Sequence, residues 1–367
     1  MKTLLTTVVF LAAAHAFAGE FRDPLLLNYA KRSLMVCPDE TVHLETIDET
    51  GPANFTTYRV TLSSPDTRCK ATTYELVSRK SGYVLISDIF LVPDDQRSID
   101  ERLTELTGHL LNKPVRAHAL PEAYPDGLRK VEILLDTRFG PFFYHAWLDA
   151  SNHFMLSGRR GLLSVDPGIT YLAALGAEHA APLTRTGSVE IVELSDLQCP
   201  SCRRGHEKMV DFLKLHGKDV RYSRLDLPIF EMHDYSFEAA IGARAIQKVA
   251  PLHYWSYVDF MFKNQEVINA KNFGLTFRNF LSDHDIDAKK IDPLFKSKSD
   301  REELLRQVGR AYDNGVFSTP TFIVNGQSVF WGTEADFVFK YITSLLPGGR
   351  AKATAKPSAK TPVKVKK

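Results

Sequence analysis

Val189-Glu190-Ile191-Val192-Glu193-Leu194 leads, through Ser195-Asp196-Leu197-Gln198, into Cys199-Pro200-Ser201-Cys202. The first six residues are a short run of strand formers. From Arg203 to Leu215 the apolar positions fall at helical spacing instead. The two cysteines therefore stand at a strand-to-helix junction. There Cys199 meets the unpaired N–H groups and the positive end of the helix dipole, which favour a thiolate. Cys202 lies one turn on along the same face, close enough to close a disulfide with Cys199 and reopen it. Paired cysteines at this spacing also occur in zinc sites and by chance; the junction is what points to redox chemistry.

Working outward, the strand at 189–194 is followed by a helix over 202–215 and a strand over 220–227. A long helical stretch (236–314) comes next, then strands at 321–324 and 328–331 and a helix at 333–346. Asn325-Gly326 between the last two strands is a two-residue hairpin signal. These elements make one redox domain over 188–347, preceded by an Ala-, Gly-, Pro- and Thr-rich connector (166–187) with a short helix at 169–177. Further upstream, a helix at 23–35 and strands at 41–47, 55–63, 69–77 and 83–92 form an α+β unit over 19–97. A second unit, 98–165, opens with a helix over 98–111 capped by Ser98 and Glu101. It continues with strands at 130–136, 143–148 and 153–163. It reads either as a repeat of the first unit or as the continuation of a single α+β domain.

The ends of the chain differ from its body. Lys2, the apolar run Leu4–Ala14 and Ala16-Phe17-Ala18 make residues 1–18 a secretory signal peptide, which places the protein in the periplasm or outside the cell. An uncleaved anchor is the alternative, but the run is short for a bilayer and His15 breaks it. No later stretch is apolar for long enough to span a membrane. Residues 348–367 carry seven positive side chains and no acid, in an Ala/Lys/Pro/Ser/Thr composition that cannot bury a core and is expected to be a disordered tail. The formal charge of the whole chain is +2, so the body without tail and signal is about −6. An acidic body argues against nucleic acid as the main partner.

Four cysteines occur in 367 residues. In an exported chain they pair most simply as Cys37 with Cys69, a structural staple, and Cys199 with Cys202. A second redox pair and a four-cysteine zinc site are the alternatives. Zinc fits poorly, because its structural sites present two close pairs and Cys37 and Cys69 are far apart in sequence. No metal and no cofactor is called for.

The region from about Leu183 to Leu346 resembles the thioredoxin fold with an inserted helical subdomain, as in the bacterial DsbA-like disulfide-bond-forming family. Three motifs carry the resemblance: the run from Val189 to Cys202, Leu227-Pro228 with His233 ahead of an Ala-rich helix, and Ser318-Thr319-Pro320-Thr321-Phe322-Ile323-Val324-Asn325-Gly326. The expected architecture is an α/β thioredoxin fold with that helical insert, preceded by an α+β N-terminal region. The resemblance implies an exposed, attacking Cys199 and a buried, resolving Cys202. It implies a cis bond at Pro320 that turns the Thr319 backbone toward the sulfurs, where it can bind an extended substrate. A trans proline at a strand start is the alternative. Glu193, six residues before Cys199, matches the family's buried acid that helps proton transfer at the second cysteine; otherwise it is a half-exposed carboxylate at a strand end. Asp196 is a weaker candidate for that task. Arg203 and Arg204 read as solvated first-turn residues, and His206 and His233 as structural or surface groups. Ser201 stands where the strongest oxidants of the family carry His, and offers a hydrogen bond but no charge.

The implied function is an exported protein thiol:disulfide oxidoreductase that oxidises, reduces or isomerises client proteins through Cys199 and Cys202. Its partners would be cysteine-containing clients and a redox partner protein. The helix-then-strands order of the N-terminal half and its segment Tyr144–Leu163 resemble the dimerisation domain of the related disulfide isomerases, which would make the protein a homodimer. The competing function is a dimerising chaperone or binding protein in which the cysteine pair is auxiliary.

Overall fold

The computed structural model describes residues 24–47, 51–78, 80–332 and 336–347. The segment expected to be a signal peptide (1–18), the tail expected to be disordered (348–367) and the start of the helix expected at 333–346 lie outside these residues. Two sheets organise the rest.

The first sheet has eight strands. Helix α1 (Pro24–Ser33) precedes β1 (Thr41–Ile47), β2 (Phe55–Ser63), β3 (Ala71–Ser78) and β4 (Tyr83–Leu91). Helix α2 (Ile99–Leu111) precedes β5 (Arg116–Ala123), β6 (Arg129–Thr137), β7 (Gly140–Leu148) and β8 (Phe154–Leu162). Each set is an antiparallel meander, and the strand order is β1-β2-β3-β4-β8-β7-β6-β5. The two meanders thus join through their last strands, from Tyr83 opposite Leu162 to Leu91 opposite Phe154. Ser98 and Glu101 cap α2 reciprocally, each side chain accepting from the other's backbone N–H. Strand β5 was not anticipated from the sequence. Pro121 interrupts it and its register shifts between Ala119 and Ala123, features a sheet tolerates at an edge. The first meander is stapled by a disulfide between Cys37 and Cys69, with Cα atoms 6.1 Å apart.

The second sheet has the order β13-β12-β10-β11-β9. Its strands are β9 (Ala181–Pro182), β10 (Val189–Ser195), β11 (Val220–Asp226), β12 (Thr321–Val324) and β13 (Gln327–Val329). Strand β10 runs parallel to β11 and antiparallel to β12. Helix α3 (Pro167–Leu175) lies in the connector, α4 (Pro200–His216) links β10 to β11, and α10 (Asp336–Leu345) closes the chain. Between β11 and β12 the expected helical stretch is five helices: α5 (Ser236–Val249), α6 (Tyr254–Lys263), α7 (Phe273–Asp283), α8 (Ala288–Phe295) and α9 (Lys298–Asp313). This is the thioredoxin layout with a helical insert, as the resemblance implied, behind an α+β N-terminal region.

The two halves share a core. Phe142 and Tyr144 of β7 pack in one cluster with Leu304, Leu305 and Val308 of α9. Gly309 makes that approach close: a Cβ there would lie 2.1 Å from the Phe143 carbonyl oxygen. Asp313, at the end of α9, accepts from the backbone N–H of His145 at 2.5 Å and pairs with its Nδ1 at 2.8 Å. On the opposite side, Val36 pairs in parallel with Val329 and so extends the second sheet with a residue from the N-terminal half.

Candidate active site

Strand β10 is buried along nearly its whole length, with neighbours on both edges. This explains its continuous apolar run. The chain leaves it at Asp196 and turns into α4, with Cys199 as N-cap and Pro200 in the first turn, where a missing N–H costs nothing. Cys199 and Cys202 are both free thiols.

Cys202 is fully buried, and its sulfur accepts the Asp196 backbone N–H at 3.4 Å. Cys199 is 8 % exposed, less than the resemblance implied. Gln265 of the helical insert donates to the carbonyls of Leu197 and Cys199, and the 318–320 segment faces the sulfur from the other side. The Thr319–Pro320 bond is cis. The Cys199 thiol donates to the Thr319 carbonyl at 3.6 Å, so strand, helix and proline loop converge on one sulfur.

The two thiols are driven in opposite directions. Cys199 is brought down to about 6. The hydrogen bond from Cys202 is the largest cause, and the backbone N–H groups of Cys202 and Ser201 and the Thr319 side chain add to it against the effect of burial. Cys202 is pushed well above its ordinary value, first by burial and then by the charges of Cys199, Glu193 and Asp196. At neutral pH the pair is one thiolate and one thiol.

Glu193 is 1 % exposed. The Tyr222 hydroxyl on β11 donates to its Oε2 at 2.5 Å, while Oε1 has no hydrogen-bond partner. A buried carboxyl oxygen without a partner is costly, and it lies near enough to Cys202 to act on the thiol's charge.

Asp196 is equally buried. Its Oδ1 accepts the Gln198 N–H at 2.7 Å; its Oδ2 accepts the Ile229 N–H at 2.7 Å and meets His233 Nδ1 at 2.8 Å. That bond raises the His233 pKa, partly against desolvation. Gln198 completes the lacing, donating to Asp234 and accepting from the Tyr235 N–H. The loop before the cysteines is thus tied to the segment 229–235, and His233 takes the structural place that was one of the two expected of it. The sequence held one signal for this, the position of His233 after Leu227-Pro228, but its partner is 37 residues away.

The remaining candidates stand apart from the sulfurs. His206 pairs with Asp259 of α6 at 2.5 Å, joining α4 to the insert. Arg203 reaches Glu266, and Arg204 donates to the Ser201 hydroxyl at 2.8 Å. Among the described residues no cluster of His, Cys, Asp and Glu has the makings of a metal site, and no helix is long and apolar enough to cross a membrane.

The thioredoxin family model matches residues 184–343. The chain is similar to solved structures of the thiol-disulfide exchange protein alpha-DsbA2 from Wolbachia pipientis (18 % identity, 49 % of this chain and 94 % of that one, TM-score 0.42) and BdbD from Bacillus subtilis (19 %, 45 % and 91 %, 0.39). A thioredoxin-like oxidoreductase from Silicibacter pomeroyi is similar at 20 % identity, over 50 % of this chain and 98 % of that one, with a TM-score of 0.39. Among curated sequences it matches the Na(+)/H(+) antiporters NhaA 3 of Salinispora tropica (27 % identical over 143 residues, 39 % of this chain and 21 % of that one) and NhaA of Herminiimonas arsenicoxydans (26 % over 194 residues, 51 % and 26 %). The chain spans about a quarter of the length of these curated relatives. Residues 184–343 match the thioredoxin family model, and a helical insert stands between β11 and β12.

Proposed function

We propose that the protein exchanges a Cys199–Cys202 disulfide with cysteines of other proteins, and that it does so outside the cytoplasm. The observation that carries this reading is the split between the two thiols, Cys199 held as a thiolate opposite Thr319 and Cys202 held protonated behind it.

In the oxidising direction a client thiolate attacks Cys199 Sγ, and the Cys199–Cys202 bond breaks. The electron pair leaves on Cys202, which then takes a proton. A second client thiolate attacks the client sulfur of the mixed disulfide and releases Cys199 as a thiolate. The client loses two electrons and the pair gains them; reduction of a client is the reverse. Glu193, with one oxygen held by Tyr222 and the other free, is suited to pass the proton to or from Cys202. The Thr319 carbonyl is suited to bind the backbone of an extended client.

Stabilising the Cys199 thiolate stabilises the reduced pair and makes the disulfide a stronger oxidant. A thiol near 6 lies between thioredoxin's at about 7 and DsbA's at about 3.5. Export is supported by the leader sequence 1–18 and by the Cys37–Cys69 disulfide, a bond at home in oxidising compartments. The test is trapping with Cys202→Ala: client proteins accumulate as mixed disulfides on Cys199. A folded variant that traps none refutes the reading.

A further inference from the structure

A cavity of about 260 Å³ lies between the eight-stranded sheet and the redox domain. Leu135 of β6, Phe142 and Tyr144 of β7 and Met155 of β8 line the sheet side; Tyr312 of α9 and Phe317 line the other. The cavity reaches the surface, because Leu110 and Leu111 on α2 and Phe317 opposite them are exposed at 46 %, 36 % and 56 %. Large apolar side chains left to water around one mouth mark a place where something docks. Lys113 and Glu231 form an ion pair across the two walls.

Three observations say what docks. The volume falls short of the roughly 300–1,000 Å³ of a small-molecule pocket, which suits one or two side chains rather than a whole ligand. The mouth is also continuous with the redox site along two loops. Phe317 is two residues from Thr319, whose carbonyl meets Cys199, and Glu231 is two residues from His233, which holds Asp196. Two residues of chain span at most about 7 Å. Finally, eleven of the sixteen lining residues are apolar or aromatic, while Lys113 and Glu231 are engaged with each other, so the lining favours an apolar guest.

We propose that this cleft receives an apolar side chain of the client polypeptide, two to four residues from the cysteine that reacts with Cys199. The N-terminal sheet then forms half of the client-binding surface and selects cysteines flanked by Leu, Phe or Met. This rests on the thiol-exchange reading above and assigns its substrate class.

The test uses the full chain and a pair of synthetic cysteine peptides, identical except for Leu or Ser three residues from the cysteine. Mixed-disulfide formation with oxidised protein is timed for each, with dithiothreitol as a small-thiol reference. The Leu peptide is expected to react about tenfold faster, a difference worth about 1.4 kcal/mol. Leu111→Asp, at an exposed position, and Ala146→Phe, which fills the cavity from the sheet side, are each expected to bring that ratio close to one. Equal rates for the two peptides in the natural protein, or an unchanged ratio in a folded Leu111→Asp variant, overturn the proposal. If neither peptide nor dithiothreitol reduces the Cys199–Cys202 pair, it is the exchange reading itself that falls.

Discussion

At the residue scale the chemistry depends on keeping two sulfurs in different protonation states within one turn of helix. Alkylation of Cys199 by iodoacetamide in the reduced protein is expected to rise with pH about a midpoint near 6, against about 8.5 for a free cysteine. Cys202 is expected to resist the reagent throughout, being buried and raised. His233 gives a second measurable signature. Its pKa is raised in the folded protein by Asp196. Its contribution is therefore fully present below the unfolded value near 6.5 and fades as pH rises through the folded one. Urea melts of the natural protein and of His233→Ala should differ by about 1 kcal/mol at pH 5.5 and converge toward pH 9, since the ring keeps some contact with water. A difference independent of pH would mean that packing, not charge, is what His233 supplies.

At the element scale, the stretches that were legible carry their own signals. The run Val189–Leu194 and the helix after it are set by local periodicity, and the α2 capping box is written in four consecutive residues. What was not legible depends on contacts between distant residues. Strand β5 exists because β6 offers it an edge, despite Pro121. The burial of Glu193 depends on Tyr222, 29 residues away, and the role of His233 on Asp196. The proline loop was recognisable only through family resemblance, because nothing local to Thr319 says which sulfur it will face. The disulfide belongs to this scale too. Cys37 and Cys69 close a loop of 32 residues beside Val36, which pairs with Val329 of the second sheet. Replacing both by Ala is expected to cost about 3–4 kcal/mol in a denaturant melt. It should leave the pH midpoint of Cys199 unchanged, because the two pairs share no hydrogen bond.

At the scale of the whole molecule, the redox domain is held against the eight-stranded sheet by α9 lying on β7. Gly309 is the residue that permits this contact. Gly309→Val would drive a side chain into the Phe143 carbonyl and is expected to destabilise the protein by about 1–3 kcal/mol. It should also expose the segment between the halves to limited proteolysis. If Gly309→Val melts like the natural protein, the two halves are not docked through α9.

The union of β4 with β8 bears on how the protein behaves when scarce. Without the other, each meander would present its last strand, β4 or β8, as an open edge, a template for pairing with another chain. Here the cover is the same chain, folded back about 70 residues later, from Leu91 against Phe154 to Tyr83 against Leu162. The local concentration of the covering strand is set by that tether and not by how much protein is present. Dilution that would separate two subunits leaves this seam closed, and with it the part of the cleft that Asp88, Phe90, Met155 and Ser157 line.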